Sequence, residues 1–415
     1  MSIPQPAAEL ISRMDALLEA AMPSLITFRR DLHAHPELSW EEERTAFKIE
    51  ERLQALGVSH FRSVGTAVIV DIPGNVALPR VIYRGDIDAL PIADTKDTSN
   101  IDYASTVQGK CHACGHDVHS TIALAVTKVM HELQSELVAP VRIIFQPAEE
   151  VLPSGAAALS EAGELDGASA ALAVHVDPSR DVGEVAWLTG PITAASDVFD
   201  VQVRGSAGHS ARPHLASDAI AAAAEIALQI YALGRRHVNP LHTAVLSVGQ
   251  IEGGVAPNVV SGSSRLRGTL RTLNLEDRTS LHEALRRTIE HAAALHGCKA
   301  ELSLQLGAPP VRNDEALAAL VRESAKQVLG ADAVQPLPYP STGAEDFGVF
   351  SDHMRTFMLR LGCGTPGQPR RHLHEEGFDL DERCILHGAR IMARSILALS
   401  QAGASVSDAG LAISK

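Results

Sequence analysis

The rhythm of predicted helices and strands changes twice along the chain, and this change constrains the fold more than any other feature. Up to about residue 195, helical patterns alternate with short β-rich runs, which is typical of a largely parallel α/β sheet. From 196 to 307 the order becomes β-α-β-β-α-β, a split unit of the ferredoxin-like kind. The first rhythm then resumes. We therefore predict an α/β domain formed by 1–195 and 308–415, with an inserted ferredoxin-like α+β domain at 196–307.

Periodicity and capping residues predict the individual elements. Ser39 is expected to cap a helix that starts at Trp40. In the large domain we predict helices at 7–30, 40–56, 120–133, 315–329 and 381–399, and strands at 67–72, 81–84, 141–145, 170–176 and 356–360. In the inserted domain we predict strands at 199–203, 244–248, 265–270 and 300–306, and helices at 217–233 and 279–296.

Composition excludes several classes of partner. With 50 acidic and 36 basic side chains the formal charge is −14, so nucleic acid and anionic membranes would be repelled. The N-terminal residues show no basic region followed by an apolar stretch, and no uncharged run is long enough to cross a bilayer. Five scattered cysteines, an odd number, argue against a disulfide framework and favour a reducing compartment. We expect a cytoplasmic protein.

The densest cluster of reactive side chains runs from Cys111 to His119 and holds six possible metal ligands in nine residues. Three interpretations compete: a redox dithiol formed by Cys111 and Cys114, a structural zinc site, and part of a catalytic metal site. The redox dithiol requires a thioredoxin-like setting, and a closed zinc site requires a second ligand pair nearby in sequence. The sequence offers neither, which favours the catalytic site.

The other candidate ligands stand where predicted strands end. Asp86 and Asp88 follow one strand, Glu149 and Glu150 follow another, and His175 ends a third. Ligands of an open α/β sheet bind outside the carboxyl ends of its strands, so these side chains are expected to meet. Two adjacent carboxylates repel each other unless a cation neutralises them. One of the pair can then bind metal while its neighbour transfers protons.

These motifs, in this order, resemble the aminoacylase and hippurate-hydrolase branch of the co-catalytic metallopeptidases, which includes the plant indole-acetyl-amino-acid hydrolases. The likeness runs from about Arg29 to His387. Six ordered stretches carry it: His35-Pro36-Glu37, Gly85-Asp86-Ile87-Asp88-Ala89-Leu90-Pro91, His112-Ala113-Cys114-Gly115-His116-Asp117, Gln146-Pro147-Ala148-Glu149-Glu150, Gly205 to His214, and Glu345-Asp346-Phe347.

The resemblance implies two divalent metal ions. Cys114 would bridge them, His116 and Glu150 would bind one ion, and His175 and His374 would complete the other. A thiolate, imidazole and carboxylate set suits Zn²⁺, Mn²⁺ or Co²⁺ without choosing among them.

The resemblance also implies two residues that act beside the metal ligands. Glu149 would be the general base that takes a proton from a metal-bound water and returns it to the leaving amine. Asp88 would orient a ligand.

The inserted domain supplies three further candidates. The resemblance implies that His209 and Asn258 approach the substrate, from the partner subunit of a homodimer, to steady the oxyanion, and that Arg271 grips the substrate carboxylate. The sequence departs from the family pattern at Arg212, where many relatives have a small or apolar residue, and at Gly85, where alanine is usual. These departures bear on substrate specificity.

Three functions are therefore open. The leading hypothesis is a metal-dependent amidohydrolase that removes the acyl group from N-acyl amino acids. The second is a di-metal carboxypeptidase or dipeptidase, which shares the site and also cleaves an amide beside a carboxylate. The third is a metal-binding module that has lost catalysis. The glutamate beside the ligand pair, Glu149, argues against the third, because a metal binder does not need a base there.

Overall fold

The computed structural model describes residues 6–96 and 101–403. The chain divides into two compact units. The first comprises Met1–Gly190, Val311–Tyr339 and Val349–Lys415, and the second comprises Pro191–Pro310 and Pro340–Gly348. Each unit has its own hydrophobic core.

The segment Pro340–Gly348, which the sequence pattern places in the large domain, groups with the second unit. Backbone hydrogen bonds explain this difference, since Ser341 N donates to Ile192 O and Ala194 N donates to Gly343 O.

The first unit is built on a mixed, mostly parallel sheet. Its central strand, Arg80–Asp86, pairs in parallel with both neighbours, and a fourth parallel strand lies beyond one of them. Because these strands run in one direction, their carboxyl ends lie at the same edge of the sheet. The strands in sheet order are Phe61–Arg62, Val68–Ile72, Val141–Gln146, Arg80–Asp86, Ala168–Asp181, Arg355–Gly364 and Arg312–Asn313, with short strands at Val185–Trp187, Gly190–Pro191 and Val334–Pro336.

Helices complete the core of the first unit. The helix His116–Glu132 is buried nearly all round, and its hydroxyl residues avoid the cost of burial by donating to backbone carbonyls four residues earlier, as Thr121 and Thr127 do. The α-helices of this unit are Ala8–Ala34, Glu43–Ala55, His116–Glu132, Gly155–Glu161, Glu315–Leu329, Phe350–His353 and Arg383–Ala402.

The second unit has the predicted β-α-β-β-α-β order. Its four antiparallel strands lie in the order Ala244–Gly253, Ser263–Thr272, Ala195–Arg204 and Lys299–Gln305. Its helices are Ala219–His237 and Leu275–Leu295, capped by the side chains of Asp218 and Asn274. A short ribbon pairs Gly208–His209 with Val259–Val260. The predicted fold class, a mainly parallel α/β sheet with a ferredoxin-like α+β insertion, is confirmed.

Three local predictions are wrong. The second helix begins at Glu43 rather than Trp40, and Ser39 does not cap it, because the Ser39 hydroxyl donates to Asp88 Oδ2 at 2.7 Å. The helix predicted from Ser120 already begins at His116. The strand predicted to end near His175 continues to Asp181, so His175 lies inside a strand. Glu315–Leu329 matches its prediction at both ends.

The five cysteines all lie in the described part of the chain and are buried free thiols. Among the helices of residues 6–96 and 101–403, none has the length and apolar character that crossing a membrane requires.

Candidate metal centre

Several elements of the first unit deliver donor side chains to one place. Cys114 and His116 lie at the start of the helix His116–Glu132, and Gly115 between them has a φ of 83°, which lets the loop turn into the helix. Glu150 follows the strand Val141–Gln146, and His175 lies on the neighbouring sheet strand Ala168–Asp181. His374 comes from the segment after Arg355–Gly364 and is tied to the loop by His374 N donating to Ala113 O at 2.9 Å.

The donor atoms of these five side chains form overlapping groups that could hold metal ions. Cys114 Sγ is 3.5 Å from His175 Nε2, and His374 Nε2 is 3.2 Å from Glu150 Oε1. Two groups of three donors, each with all members within 4.8 Å, share the thiol: Cys114, His116 and His175 form one group, and Cys114, Glu150 and His374 form the other. The shared sulfur is what a bridging ligand requires.

The resemblance implied one set with His116 and Glu150 and another with His175 and His374. The distances allow more than one division, because His116, Glu149 and Glu150 also form a group within 4.8 Å, so the assignment of donors to two ions stays a prediction. The loop that carries Cys114 and His116 packs against the strand of His175. A Cβ on Gly115 would lie 2.5 Å from the Val176 side chain. His116 Nε2 also lies 3.9 Å from Glu150 Oε1, between the two groups.

The donor set fits divalent metal ions. His116 Nε2 is buried and has no hydrogen-bond partner in the described part of the chain, although a buried polar atom without a partner is costly. Its carboxylate and thiol neighbours would repel one another if they were ionised without a cation. Thiolate, imidazole and carboxylate together suit borderline ions such as Zn²⁺, Mn²⁺ or Co²⁺.

Asp88 orients both ends of the cluster. Its Oδ1 lies 3.0 Å from His116 Nδ1, which leaves Nε2 as the free nitrogen of that ring. Its Oδ2 accepts hydrogen bonds from Glu150 N at 3.0 Å and from the Ser39 hydroxyl. Burial opposes ionisation of Asp88, but the hydrogen bonds from His116 and Ser39 outweigh it and lower its pKa. The position fits the orienting role that the resemblance implies.

His119 and Asp86 form a separate pair beneath the cluster. His119 Nε2 accepts the backbone N–H of Val176 at 2.9 Å, so the proton of the neutral ring is on Nδ1, which lies 2.7 Å from Asp86 Oδ1. Both ring nitrogens are thus engaged by protein groups, which argues against His119 as a ligand. Asp86 is also paired with the buried Arg84 guanidinium. The ring of His119 lies between those of His116 and His175, at centroid distances of 5.4 and 4.9 Å.

The remaining members of the cysteine and histidine cluster are engaged elsewhere. Asp117 pairs with Arg29 Nε at 2.8 Å and with His33 Nδ1 at 2.7 Å, all three buried. Burial raises the pKa of the Cys111 thiol to about 11 and lowers that of the His112 imidazole to about 3. A redox dithiol requires a lowered cysteine pKa in a partly exposed setting, so Cys111 and Cys114 do not fit that interpretation.

Electrostatics at the centre follow from burial and from the carboxylates. Without a cation, burial and the Glu150 carboxylate raise the pKa of Cys114 to about 12, and His116 opposes the rise. Burial also lowers the pKa of His175, and Arg360 adds to this effect. Burial disfavours a charged His116, but Asp86 and the Cys114 thiol outweigh it and raise the pKa. A hydrogen bond with Glu150 raises the pKa of the half-exposed His374.

Glu149 reaches the same cluster. One of its carboxylate oxygens lies within 4.8 Å of donor atoms of His116 and Glu150. Backbone strain also concentrates here: three described residues other than glycine have a positive φ, namely Trp40 (67°), Ala148 (51°) and His374 (62°). Ala148 directly precedes Glu149, and His374 is a donor itself. Strain of this kind persists where the surroundings hold it, and it is typical of functional sites.

The candidates of the second unit lie on exposed loops and strand ends. His209 and Asn258 are exposed and adjacent, since His209 pairs with Val259 and Ser210 N donates to Asn258 O at 3.1 Å. Arg271 is half-buried on the strand Ser263–Thr272, and its Nη1 donates to Thr342 O at 3.0 Å. Arg212 is exposed. The roles of His209, Asn258 and Arg271 stay predictions.

Comparison with known proteins identifies the family. The model of a family described as peptidase family M20/M25/M40 matches residues 82–398, which is well over half of the chain. The chain belongs to this family. This M20/M25/M40 protein is 38% identical over 375 residues to a probable hydrolase of Synechocystis, with 90% of this chain and 94% of the relative covered.

Two further matches of the M20/M25/M40 protein bear on chemistry. It is 36% identical to an N-acetyl-L-cysteine deacetylase of Bacillus subtilis, with 89% of this chain and 87% of the relative covered. Among solved structures it resembles a Bacillus subtilis protein described as a dinuclear metal-binding peptidase of the M20 family. That match has a TM-score of 0.79 and 31% identity, and covers 92% of this chain and 99% of the other. The predicted family resemblance is confirmed.

Two residues near the site carry no signal of their role in the sequence. The pattern around Ser39 predicts a helix cap, and no motif marks Glu42. The Glu42 side chain is fully buried and accepts from Ala148 N at 2.9 Å. The contact of Ser39 with Asp88 and that of Glu42 with Ala148 each join segments that are far apart in the chain, so no local sequence pattern indicates them.

Proposed function

We propose that this M20/M25/M40 family protein is a metal-dependent amidohydrolase that deacylates N-acyl amino acids. The observation that carries the proposal is the convergence of the five donor side chains with Glu149 in one cluster of the first unit. A family relative described as an N-acetyl-L-cysteine deacetylase supports the substrate class.

Two divalent ions would be held by the five donors, of which Cys114 is common to both groups and would bind both ions. The donors are Cys114, His116, Glu150, His175 and His374. When bound, such ions polarise an amide carbonyl and lower the pKa of a water molecule, so that hydroxide is available near neutral pH. Asp88 fixes the His116 ring and the backbone of Glu150, and therefore sets the geometry of both groups. The identity of the ions, Zn²⁺, Mn²⁺ or Co²⁺, belongs to the proposal.

Glu149 is the proposed general base and then the general acid. Its carboxylate accepts a proton from the attacking water and returns it to the amine, which is a poor leaving group until it is protonated. The adjacent Glu150 serves as a donor, so the two neighbouring carboxylates have different roles. A carboxylate oxygen of each lies within 4.8 Å of a His116 ring nitrogen, which places both a proton acceptor and a donor at the cluster.

Recognition of the substrate is assigned to the second unit. The planar guanidinium of Arg271 suits the carboxylate beside the scissile amide, because it can donate two parallel hydrogen bonds. His209 and Asn258, which are adjacent and exposed, would approach the substrate of the partner subunit and stabilise the oxyanion. These roles require a homodimer.

A homodimer through the second unit is therefore part of the proposal. The helix Ala219–His237 leaves Leu228 and Tyr231 exposed, at 68% and 52%, and the edge strand Ala244–Gly253 leaves Ile251 at 54%. Exposed apolar side chains beside an unpaired strand edge are suited to contact with a second copy of the chain.

A cytoplasmic location, predicted from cysteine usage, also stays a proposal.

A substrate panel tests the function. The purified protein is stripped with a chelator, reloaded with Mn²⁺, Co²⁺ or Zn²⁺, and assayed for amine release from N-acetyl, N-benzoyl and indole-acetyl amino acids beside dipeptides. Metal-dependent release from the acyl amino acids supports the amidohydrolase. Release from dipeptides alone would favour the carboxypeptidase or dipeptidase, in line with the description of one solved relative as a dinuclear metal-binding peptidase.

A further inference from the structure

The turn that carries Glu149 has a strained backbone. Ala148, the residue before Glu149, has a φ of 51°, in the left-handed region that side chains other than glycine seldom adopt. The turn lies directly after the strand Val141–Gln146, and it sets the direction in which the Glu149 carboxylate leaves the sheet. A conformation of this kind persists only when surrounding groups hold it.

One buried carboxylate holds this turn. Glu42 Oε1 accepts the backbone N–H of Ala148 at 2.9 Å and that of Trp40 at 3.0 Å, and Trp40 is also left-handed, with a φ of 67°. Glu42 Oε2 accepts the Thr66 hydroxyl at 2.6 Å. The Glu42 side chain is 0% exposed, so these bonds are shielded from water.

The Glu42 carboxylate does not cap the helix that follows it. Glu42 stands at the N-cap of Glu43–Ala55, but its side chain makes no capping hydrogen bond there. Glu37 caps that helix instead, because its two carboxylate oxygens accept Arg44 N at 3.0 Å and Thr45 N at 2.7 Å. A structural account of Glu42 as a helix cap therefore fails, and its contacts point to the turn 106 residues away.

The other side of the turn is closed by glycine. Gly155 N donates to Ala148 O at 2.9 Å, and a Cβ on Gly155 would lie 1.8 Å from Pro147 O. The turn is thus held at its N–H by Glu42 and at its carbonyl by Gly155. Trp40 adds a further link, since its indole N–H donates to Pro153 O at 3.0 Å.

We propose that Glu42 is a positioning residue for the reaction: through its hydrogen bonds to Ala148 and Trp40 it fixes the left-handed turn that aims Glu149. The inference rests on the proposed function of Glu149 as the general base. Glu42 itself touches neither the substrate nor the metal donors in this account. It acts through the backbone.

The experiment compares three variants of Glu42 in the metal-loaded full-length protein. Glu42→Gln keeps an oxygen for both N–H groups, and its amide can donate to Thr66, whose hydroxyl can rotate to accept. Glu42→Asp is one methylene shorter, and Glu42→Ala lacks the acceptor. We expect kcat near the wild-type value for Glu42→Gln, and a loss on the order of 10- to 100-fold for the other two, since small misplacements of a catalytic group cost about this much. KM and bound metal should change little.

The matched control is Glu37→Ala, which removes a half-buried carboxylate from the same helix start without touching Ala148. It should lower the melting temperature while keeping kcat within about twofold of wild type, an effect typical of lost capping. If Glu42→Ala does not fold, the comparison of kcat between Glu42→Asp and Glu42→Gln tests the positioning role.

Three outcomes overturn the inference: unchanged kcat in Glu42→Asp and Glu42→Ala, equal loss in Glu42→Gln, or equal loss in Glu37→Ala. Failure of the proposed function is distinguishable, because the wild-type protein would then release no amine in the first place. The Co²⁺ absorption spectrum gives a readout independent of activity. It should be the same in wild type and Glu42→Asp, since the donors are unaffected.

Discussion

Glu149 and Glu150 show how two adjacent, chemically identical side chains acquire different roles. Glu150 lies 3.2 Å from His374 Nε2 and has its backbone fixed by Asp88, whereas Glu149 follows a left-handed residue that changes its direction. Both lie near His116. The two side chains have the same chemistry, so the difference between their proposed roles comes from their positions in the structure.

Replacing Glu149 by alanine should abolish most of the activity while metal binding remains. The proton acceptor is lost but none of the five donors is removed, so we expect kcat to fall about 10²- to 10⁴-fold. Steady-state kinetics and metal analysis of the same sample provide the check. Glu161→Ala, an exposed glutamate on the following helix, is the control. Undiminished hydrolysis by Glu149→Ala would refute the assignment.

Replacing Asp88 by asparagine should weaken metal binding. Its carboxylate contacts His116 Nδ1 and accepts the Glu150 N–H, and loss of such an orienting group costs about 10- to 100-fold in metal affinity. Competition with a chromogenic chelator measures the dissociation constants. An affinity equal to that of wild type would contradict the role given to Asp88.

At the residue scale, the sequence predicts donors better than the groups that hold them. Cys114 and His116 stand out as part of a dense ligand cluster, Glu150 and His175 as polar residues near the ends of predicted strands, and His374 only through the family resemblance. The division of these donors between two ions stays a prediction. Ser39 and Glu42 act on residues 49 and 106 positions away, so their roles emerge only in three dimensions.

At the scale of elements, the sheet brings the site together. Strands Arg80–Asp86, Val141–Gln146 and Ala168–Asp181 are parallel neighbours, so the residues that follow or end them lie at one edge. Periodicity predicted these strands, but their ends were less certain, because the first and last residues of an element carry weak patterns. The start of the helix at His116 was missed for this reason.

In the second unit, a buried carboxylate ties a helix to the sheet. Asp197 on the strand Ala195–Arg204 pairs with Arg278 and His282 of the helix Leu275–Leu295, and accepts Gly307 N at 3.0 Å. Burial opposes its ionisation, but the hydrogen bond and charge of Arg278, with the hydrogen bonds from His282 and Gly307, together outweigh burial and lower the pKa of Asp197. This pair should stabilise the unit in its ionised form.

Replacing Asp197 by asparagine should therefore destabilise the second unit by about 3–5 kcal/mol near neutral pH, the usual cost of breaking a buried ion pair. A lowered pKa in the folded state gives stability that is present above the unfolded value of about 3.9 and is lost as pH falls toward the folded pKa. The difference between variant and wild type should shrink below about pH 4. Urea unfolding measures it, and a difference that stays the same or grows below about pH 4 would contradict the role of the ionised carboxylate.

At the scale of the whole molecule, the chain has two separate hydrophobic cores. The core of the first unit includes Cys114, and the second unit carries the exposed His209 and Asn258 outside its core. The interruption of the α/β pattern predicted this organisation. The grouping of Pro340–Gly348 with the second unit was not predictable, because backbone hydrogen bonds to residues about 150 positions earlier determine it.

The protein should be a homodimer at micromolar concentration. Light scattering of wild type is expected to give twice the chain mass, and Leu228→Arg, which places a charge on the exposed apolar face of Ala219–His237, should give a monomer with little activity. Leu295→Arg, on the exposed end of the other helix, is the control and should stay dimeric. A monomeric wild-type protein would refute the interface and the contribution of His209 and Asn258 from a partner.

The most direct test of the central claim is amine release from N-acyl amino acids by the chelator-stripped protein before and after metal is restored. We predict no release from the stripped protein and recovery with Mn²⁺, Co²⁺ or Zn²⁺, at a stoichiometry approaching two ions per chain. Silence toward every acyl amino acid and dipeptide, with metal tightly bound, would contradict it and would leave a metal-binding module as the function.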